Sequence, residues 1–271
     1  MQQKIKIFLF GIIFLSCSTI SFGQSDAIDH EGNLPTFYKR TLHFGFHIGL
    51  NTCDFRIHNV KTSQFPYDTL YWLNGGKNYS NPGVYDTYTL LPLKTIYSIP
   101  DFGFNLGIVS DLRVHEYVRL RFLPTLSFAS RKLVYTYEEK YTMGGVTVDT
   151  VHVRTRPVES VFLFFPLLVK LQSKRMGDVS AYVLGGGSYS IDLQSDKKVD
   201  PTSQLVRVKR SDFYAEGGGG LDFYLRYFKL GLELKVMHGL KDIIFHDGSK
   251  YAAPIKRLNS HMVMFSVTFE G

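Results

Sequence analysis

At 271 residues and 31.0 kDa, the chain is long enough for one large domain with a sizeable core. Its 24 Gly, 22 Phe and 17 Tyr favour strands and turns over helical bundles, and two Cys exclude a disulfide framework or a cysteine-rich metal site. The formal net charge of +7 points to anionic partners: nucleic acid, lipid head groups or lipopolysaccharide.

The first residues narrow that choice. Lys4 and Lys6 precede the apolar run Ile7 to Ile20, and small residues lead to Gly23-Gln24. This order predicts a secretory signal peptide over 1–23, cleaved after Gly23. Leu15-Ser16-Cys17 loosely resembles a lipidation box, but Phe14 stands where that motif prefers Leu, so ordinary cleavage is the expectation. An exported chain does not meet chromosomal DNA, and no nucleic-acid partner is expected. Residues 24–40 then read as a periplasmic N-terminal segment and 41–271 as the folded domain. The longest later apolar run, Val161 to Val169, is broken by Pro166. A membrane-spanning reading therefore requires a β-barrel, the other structure that satisfies its backbone inside lipid.

Eight segments alternate with period two. In the first, Phe44, Phe46, Ile48 and Leu50 oppose His43, His47 and Asn51; the second sets Phe102, Phe104, Leu106 and Ile108 against Asp101, Asn105 and two glycines. The third places Leu120, Phe122, Leu126 and Phe128 opposite Arg119, Arg121, Thr125, Ser127 and Arg131. In the fourth, Leu163 to Leu171 share a face, while the other carries Ser160, Lys170 and Gln172 with Phe162, Phe164 and Leu168. The fifth, Ala181 to Leu193, contains Gly185-Gly186-Gly187, and its apolar face is ambiguous. The sixth sets Phe213, Ala215, Leu221 and Phe223 against Tyr214, Glu216, Asp222 and Tyr224. Leu230, Leu232, Leu234 and Val236 oppose Lys229, Glu233 and Lys235 in the seventh. The eighth places Val263, Phe265, Val267 and Phe269 opposite Met264, Ser266 and Thr268.

Connection lengths add a second signal. Short links at His115-Glu116, Lys174 to Asp178 and Arg226-Tyr227 alternate with long ones near Asn59–Pro100, Glu138–Pro157, Gln194–Asp212 and Lys241–Asn259. That alternation, the even strand count and Phe269 near the C-terminus predict an all-β fold: an eight-stranded antiparallel outer-membrane β-barrel with both termini periplasmic. A soluble barrel would show the same period. Bulky aromatics on one face with glycine and charge on the other favour the membrane version, because eight strands enclose only side chains.

Apparent chemical motifs have plainer readings. Gly185–Gly187 and Gly217–Gly220 sit inside strands with no helix or P-loop Lys after them, so close packing or strand bending explains them. His43 and His47 stand about 13 Å apart on a strand, too far to share a metal. His246-Asp247-Gly248-Ser249 reads as a polar loop, and no His-x-Ser pair of a lipid A deacylase occurs. No catalytic, cofactor-binding or metal residues are expected, and the chain is not expected to be an enzyme. Arg119, Arg121, Lys170, Glu216, Asp222, Glu233 and Lys235, with Arg131, are expected to form a structural charge network in the lumen, since buried charges must pair. Arg154, Arg156, Lys197, Lys198, Arg207, Lys209, Arg210, Lys250, Lys256 and Arg257 are expected in external loops, as contacts for lipopolysaccharide phosphates or an acidic partner.

Three stretches carry a family likeness: Leu120-Arg121-Phe122-Leu123-Pro124 with Leu126-Ser127-Phe128; Val158-Glu159-Ser160 through Phe165-Pro166-Leu167-Leu168 to Lys170 and Ser173-Lys174-Arg175; and Ala181-Tyr182-Val183-Leu184-Gly185-Gly186-Gly187. Together they resemble the PorT family of Bacteroidetes outer-membrane barrels over most of the mature chain. The resemblance implies a component required by the type IX secretion system, which exports cargo with C-terminal sorting domains and supports gliding in some members. Its partners would be other type IX components. The alternatives are an OmpX-like surface barrel for adhesion or envelope integrity and, third, a lipid A-modifying enzyme.

Overall fold

The computed structural model describes Asn33, Leu34, Phe37 and residues 40–59, 67–70, 89–143, 146–194, 206–246 and 252–271. The predicted signal peptide lies outside the described residues, as does most of 24–40. Ten strands follow in order: β1 (Leu42–Asn59), β2 (Tyr67–Leu70), β3 (Thr89–Arg113), β4 (Val118–Phe122), β5 (Thr125–Met143), β6 (Val146–Gln172), β7 (Val179–Asp192), β8 (Ser211–Tyr224), β9 (Lys229–Gly239) and β10 (Ile255–Glu270).

Antiparallel pairing closes the sheet on itself. β1 pairs β10 on one side and β3 on the other, and β6 to β10 pair in sequence. β4 and β5 occupy a single position between β3 and β6. Register is unchanged across their junction: Phe122 faces Leu167 and Thr125 faces Phe164. The break is at Leu123-Pro124, opposite Phe165-Pro166, where two prolines lack the N–H that a ladder needs. Leu123 N still donates to Pro166 O at 3.4 Å, and Ile108 N to Pro124 O at 3.0 Å. The wall is therefore a ring of eight strands, as the alternation predicts.

Outward residues form an apolar belt. On β1, Leu42, Phe44, Phe46, Ile48 and Leu50 are exposed, as are Phe102 to Ile108 on β3 and Phe165 to Leu171 on β6 at alternate positions. Eight residue steps at ~3.4 Å span roughly 27 Å along the strand, and a tilt of about 40° makes this roughly 21 Å of height, near the apolar band of an outer-membrane wall. Outer-face aromatics pair across strands, Phe46 on Phe269 with ring centroids 4.9 Å apart and Phe104 on Phe128 at 4.4 Å.

The wall is taller on one side. The stretch Glu138–Pro157, expected as an open loop, is a hairpin paired without interruption from Arg131–Val158 to Met143–Val146. Thr, Val and Tyr dominate it, so strand propensity holds the ladder above the lipid belt, where no apolar outer stripe is required. Part of Asn59–Pro100 is strand as well, since β2 pairs with Thr89–Pro92 of β3. β3 takes register shifts between Leu93 and Thr95 and between Pro100 and Phe104, as expected where a proline enters a strand.

Candidate functional site

The lumen is filled in tiers from the end with short turns to the end with long connections. At the turn end, Leu34 adopts φ 54° and Phe37 N closes a turn onto Leu34 O. This carries the Phe37 ring into the mouth, stacked on His43 with centroids 3.8 Å apart and lying 5.1 Å from Lys229 Nζ. A latch outside the wall holds the strap. Asp178 accepts from Asn33 N at 2.9 Å and from Arg175 Nη2 at 2.5 Å, and Arg175 Nη2 also donates to Asn33 O at 2.6 Å. These hydrogen bonds, from the Asn33 backbone first, hold the Asp178 carboxyl below its ordinary pKa.

The charged tier comes next. Arg121 reaches Asp111 and Glu233 at 3.0 Å each and Glu270 at 2.8 Å. Lys229 holds Glu270 at 2.6 Å and Asp222 at 3.5 Å, and Lys170 reaches Asp222 at 2.6 Å. Lys235 pairs with Glu216 at 2.9 Å. Arg119 is buried beside Phe37, its guanidinium carbon 6.0 Å from the ring. The tier balances: Arg119, Arg121, Lys170, Lys229 and Lys235 stand against Asp111, Glu216, Asp222, Glu233 and Glu270, all inside the wall. Such balance is needed because an isolated buried charge costs several kcal/mol (about 3–5 when one partner is lost).

Arg119, Arg121, Lys170, Glu216, Asp222, Glu233 and Lys235, singled out from the sequence for this network, are all buried, whereas Arg131 is buried farther along the lumen, on Cys53, Ser160 and Ser260. The sequence reading left out Asp111, Lys229 and Glu270. Asp111 and Glu270 lie one or two steps beyond alternations already traced, so extending the period would have found them, and Lys229 already stood on the inward face of its strand. Tyr182 completes the tier by donating to Glu233 at 2.9 Å, with Lys170 Nζ 3.7 Å from its ring centre. Its phenol occupies space that a side chain at Gly220 would fill, with the hydroxyl 2.6 Å from the position of a Cβ there.

Above the charges sits a polar tier. Asn51 donates to Ser127 at 3.1 Å, Asn105 to Ser266 at 3.3 Å, and the His47 ring lies 3.3 Å from Thr125 Oγ1. A cluster of Cys53, Phe162, Phe164, Tyr214, Met237, Met262 and Met264 follows, crossed by Arg131. The loop end is closed by an apolar core that joins Phe55, Leu133, Tyr135, Ile244 and Leu258.

The cations expected in external loops are placed differently. Arg154 and Arg156 lie within β6, exposed and half-buried, and Lys256 and Arg257 lie at the start of β10, both exposed. Arg207, Lys209 and Arg210 precede β8, and all three are exposed. Several are already engaged: Arg207 stacks on Phe245 at 4.7 Å, Lys209 donates to Asp242 O, and Arg257 donates to Leu240 O. Lys197, Lys198 and Lys250 lie outside the described residues, as do three residues of His246-Asp247-Gly248-Ser249. Among the described residues, no group of three His, Cys, Asp or Glu could hold a metal.

The family model described as outer membrane protein beta-barrel domain matches residues 22–244. Among solved structures, the outer membrane protein OprG from Pseudomonas aeruginosa aligns at 12% identity, covering 90% of this chain and 99% of that one, with a TM-score of 0.43. The outer membrane protease OmpT from Escherichia coli aligns at 12% identity over 84% and 96% of the two chains, with a TM-score of 0.33. No curated protein matches.

Proposed function

The chain belongs to the family of outer-membrane protein β-barrel domains, and from that premise we propose that it serves type IX protein secretion as a PorT-like assembly or accessory component. The observation that carries this reading is the filled lumen. Among the described residues the tiers from Phe37 to the Leu258 core leave no passage for a polypeptide, so the conduit is another protein and this barrel acts through its wall and loop end. The specific system follows from the Arg121-Phe122-Leu123-Pro124 and Ala181 to Gly187 stretches and their likeness to that family. The role is structural rather than catalytic. The signal peptide over 1–23 delivers the chain, residues 24–40 face the periplasm, and exposed Arg154, Arg210 and Lys256 face outer-leaflet phosphates or partner proteins.

A clean deletion followed by quantitative proteomics of periplasm and medium tests this. Proteins with C-terminal sorting domains should accumulate inside and return to the medium on complementation. An unchanged secretome with altered adhesion or envelope permeability would replace this reading with a general surface barrel. The β5–β6 hairpin standing above the belt favours that second reading.

A further inference from the structure

One tier of the lumen concentrates sulfur. Cys53 on β1 is paired directly with Met262 on β10, and Met262 with Met237 on β9. All three are at most 1% exposed, and Met264 lies in the same cluster. Opposed residues on one face of a sheet hold their Cβ atoms about 4.5–5.5 Å apart, and the concave face of a ring turns them toward one another. A thiol and flexible thioethers on three adjacent strands can therefore converge on one centre.

A second, independent observation points into the same tier. Arg131 is 1% exposed, and its Nη1 lies 3.4 Å from Cys53 Sγ. Its other partners are the hydroxyls of Ser260 and Ser160 and the rings of Phe55 and Phe162, 4.1 and 5.1 Å from the guanidinium carbon, and its Nε has no hydrogen-bond partner. Among the described residues no carboxylate lies within 4.0 Å of it, unlike Arg121, which has three. Glu216, opposite Met237, is committed to Lys235 at 2.9 Å. The tier thus offers soft neutral donors, one ionisable sulfur and a fixed positive charge.

We infer that Cys53, Met262 and Met237 form a binding site for a soft monovalent metal ion, Cu(I) by its chemistry, with Met264 as an adjacent donor. Thiolate and thioether ligands select such ions. The ion replaces the thiol proton: the S–H bond breaks, an S–Cu bond forms, and the proton leaves for solvent. The charge beside Arg131 is unchanged by this exchange. A divalent ion would add a further buried positive charge beside Arg131, which disfavours zinc and other divalent metals. The polar tier below and the apolar core above close the site, so metal enters while the barrel folds.

The test uses the full chain in two preparations: extracted from outer membranes of cells grown with copper, and refolded in detergent with Cu(I) held by bicinchoninate under anaerobic conditions. Copper per chain is measured, and X-ray absorption reads the ligands. The expected result is one Cu(I) per chain with sulfur-only coordination, weakened roughly tenfold or more in Met262→Leu and Met237→Leu and lost in Cys53→Ser. Met176→Leu, on the exposed turn, should bind like the wild type. Leu for Met conserves volume, so those variants decide the matter even if Cys53→Ser does not fold. No copper in either preparation, or equal binding in Met262→Leu, overturns the site.

Discussion

Arg121 bridges Asp111, Glu233 and Glu270, which sit on three different strands, β3, β9 and β10. Removing it leaves Asp111 without its ion-pair partner and takes one partner each from Glu233 and Glu270, which keep Tyr182 and Lys229, so Arg121→Met should cost the ~3–5 kcal/mol of a broken buried pair. Arg121→Lys should recover only part, because an ammonium is a point charge that cannot fork across three acceptors. Urea titration of barrels refolded into lipid vesicles, followed by the gel mobility of unheated samples, measures both. A wild-type midpoint in Arg121→Met would mean the tier does not hold the ring together. The glycine run makes a finer comparison. A Cβ at Gly220 would stand 2.2 Å from Leu232 O and 2.6 Å from the Tyr182 hydroxyl, whereas one at Gly217 meets nothing within 4 Å. Gly220→Ala should destabilise by about 1–3 kcal/mol and Gly217→Ala should be near neutral in the same titration. The inward charges were legible because a charged residue in an otherwise apolar alternation announces its face. The sulfur tier was not. Cys53 and Met262 are far apart in sequence, and only the closing register of β1 on β10 makes them neighbours.

The elements that the sequence concealed lie outside the lipid belt. Alternation against lipid is a strong signal from Leu42 to Leu50, but Glu138–Pro157 is rich in charge and holds Gly144-Gly145, so it reads as a polar connection although it pairs as a hairpin. β4 and β5 posed the reverse case: the alternation runs straight through Pro124, and the unchanged register shows that it is right to do so. The strap before β1 reads from the sequence only as a periplasmic segment, since nothing local says that Phe37 turns inward. Its latch should respond to acid. The Asp178 carboxyl is held below its ordinary value of 3.8, so the ionised form that grips Asn33 and Arg175 is favoured by folding. A depressed carboxyl contributes fully above that ordinary value, and the contribution is lost as pH falls through the lowered one. Chymotrypsin-sized cuts at Phe37 cannot be read at such pH, but pepsin works there. Strap cleavage by pepsin should therefore rise as pH drops below about 3.8 while the wall stays intact, and Asp178→Asn should be more sensitive than the wild type at pH 4–5. Equal cleavage of the two proteins across that range would show that the latch does not hold the strap.

At the scale of the whole molecule, the tiers decide what the ring can pass. An eight-stranded wall leaves room for side chains alone, and here that room holds an aromatic stopper, a balanced charge tier, amides and hydroxyls, sulfur and aromatics, and an apolar core. The tiers are crossed by side chains that reach strands beyond their neighbours in the ring. Arg121 spans from β4 to β9 and β10, Asn51 on β1 reaches Ser127 on β5, and Arg131 on β5 reaches Ser260 on β10. The expected outcome in planar bilayers is therefore no steady conductance from the wild type. Phe37→Ala should stay closed as well, since it unplugs only the mouth and leaves Arg121 and its carboxylates in place below the polar tier. A double change, Phe37→Ala with Arg121→Ala, opens the turn-end half but still meets the core around Leu133 and Leu258, and it should also fail to conduct. Regular single-channel steps from the wild-type barrel would contradict the sealed lumen, and with it the proposed accessory role beside a separate conduit.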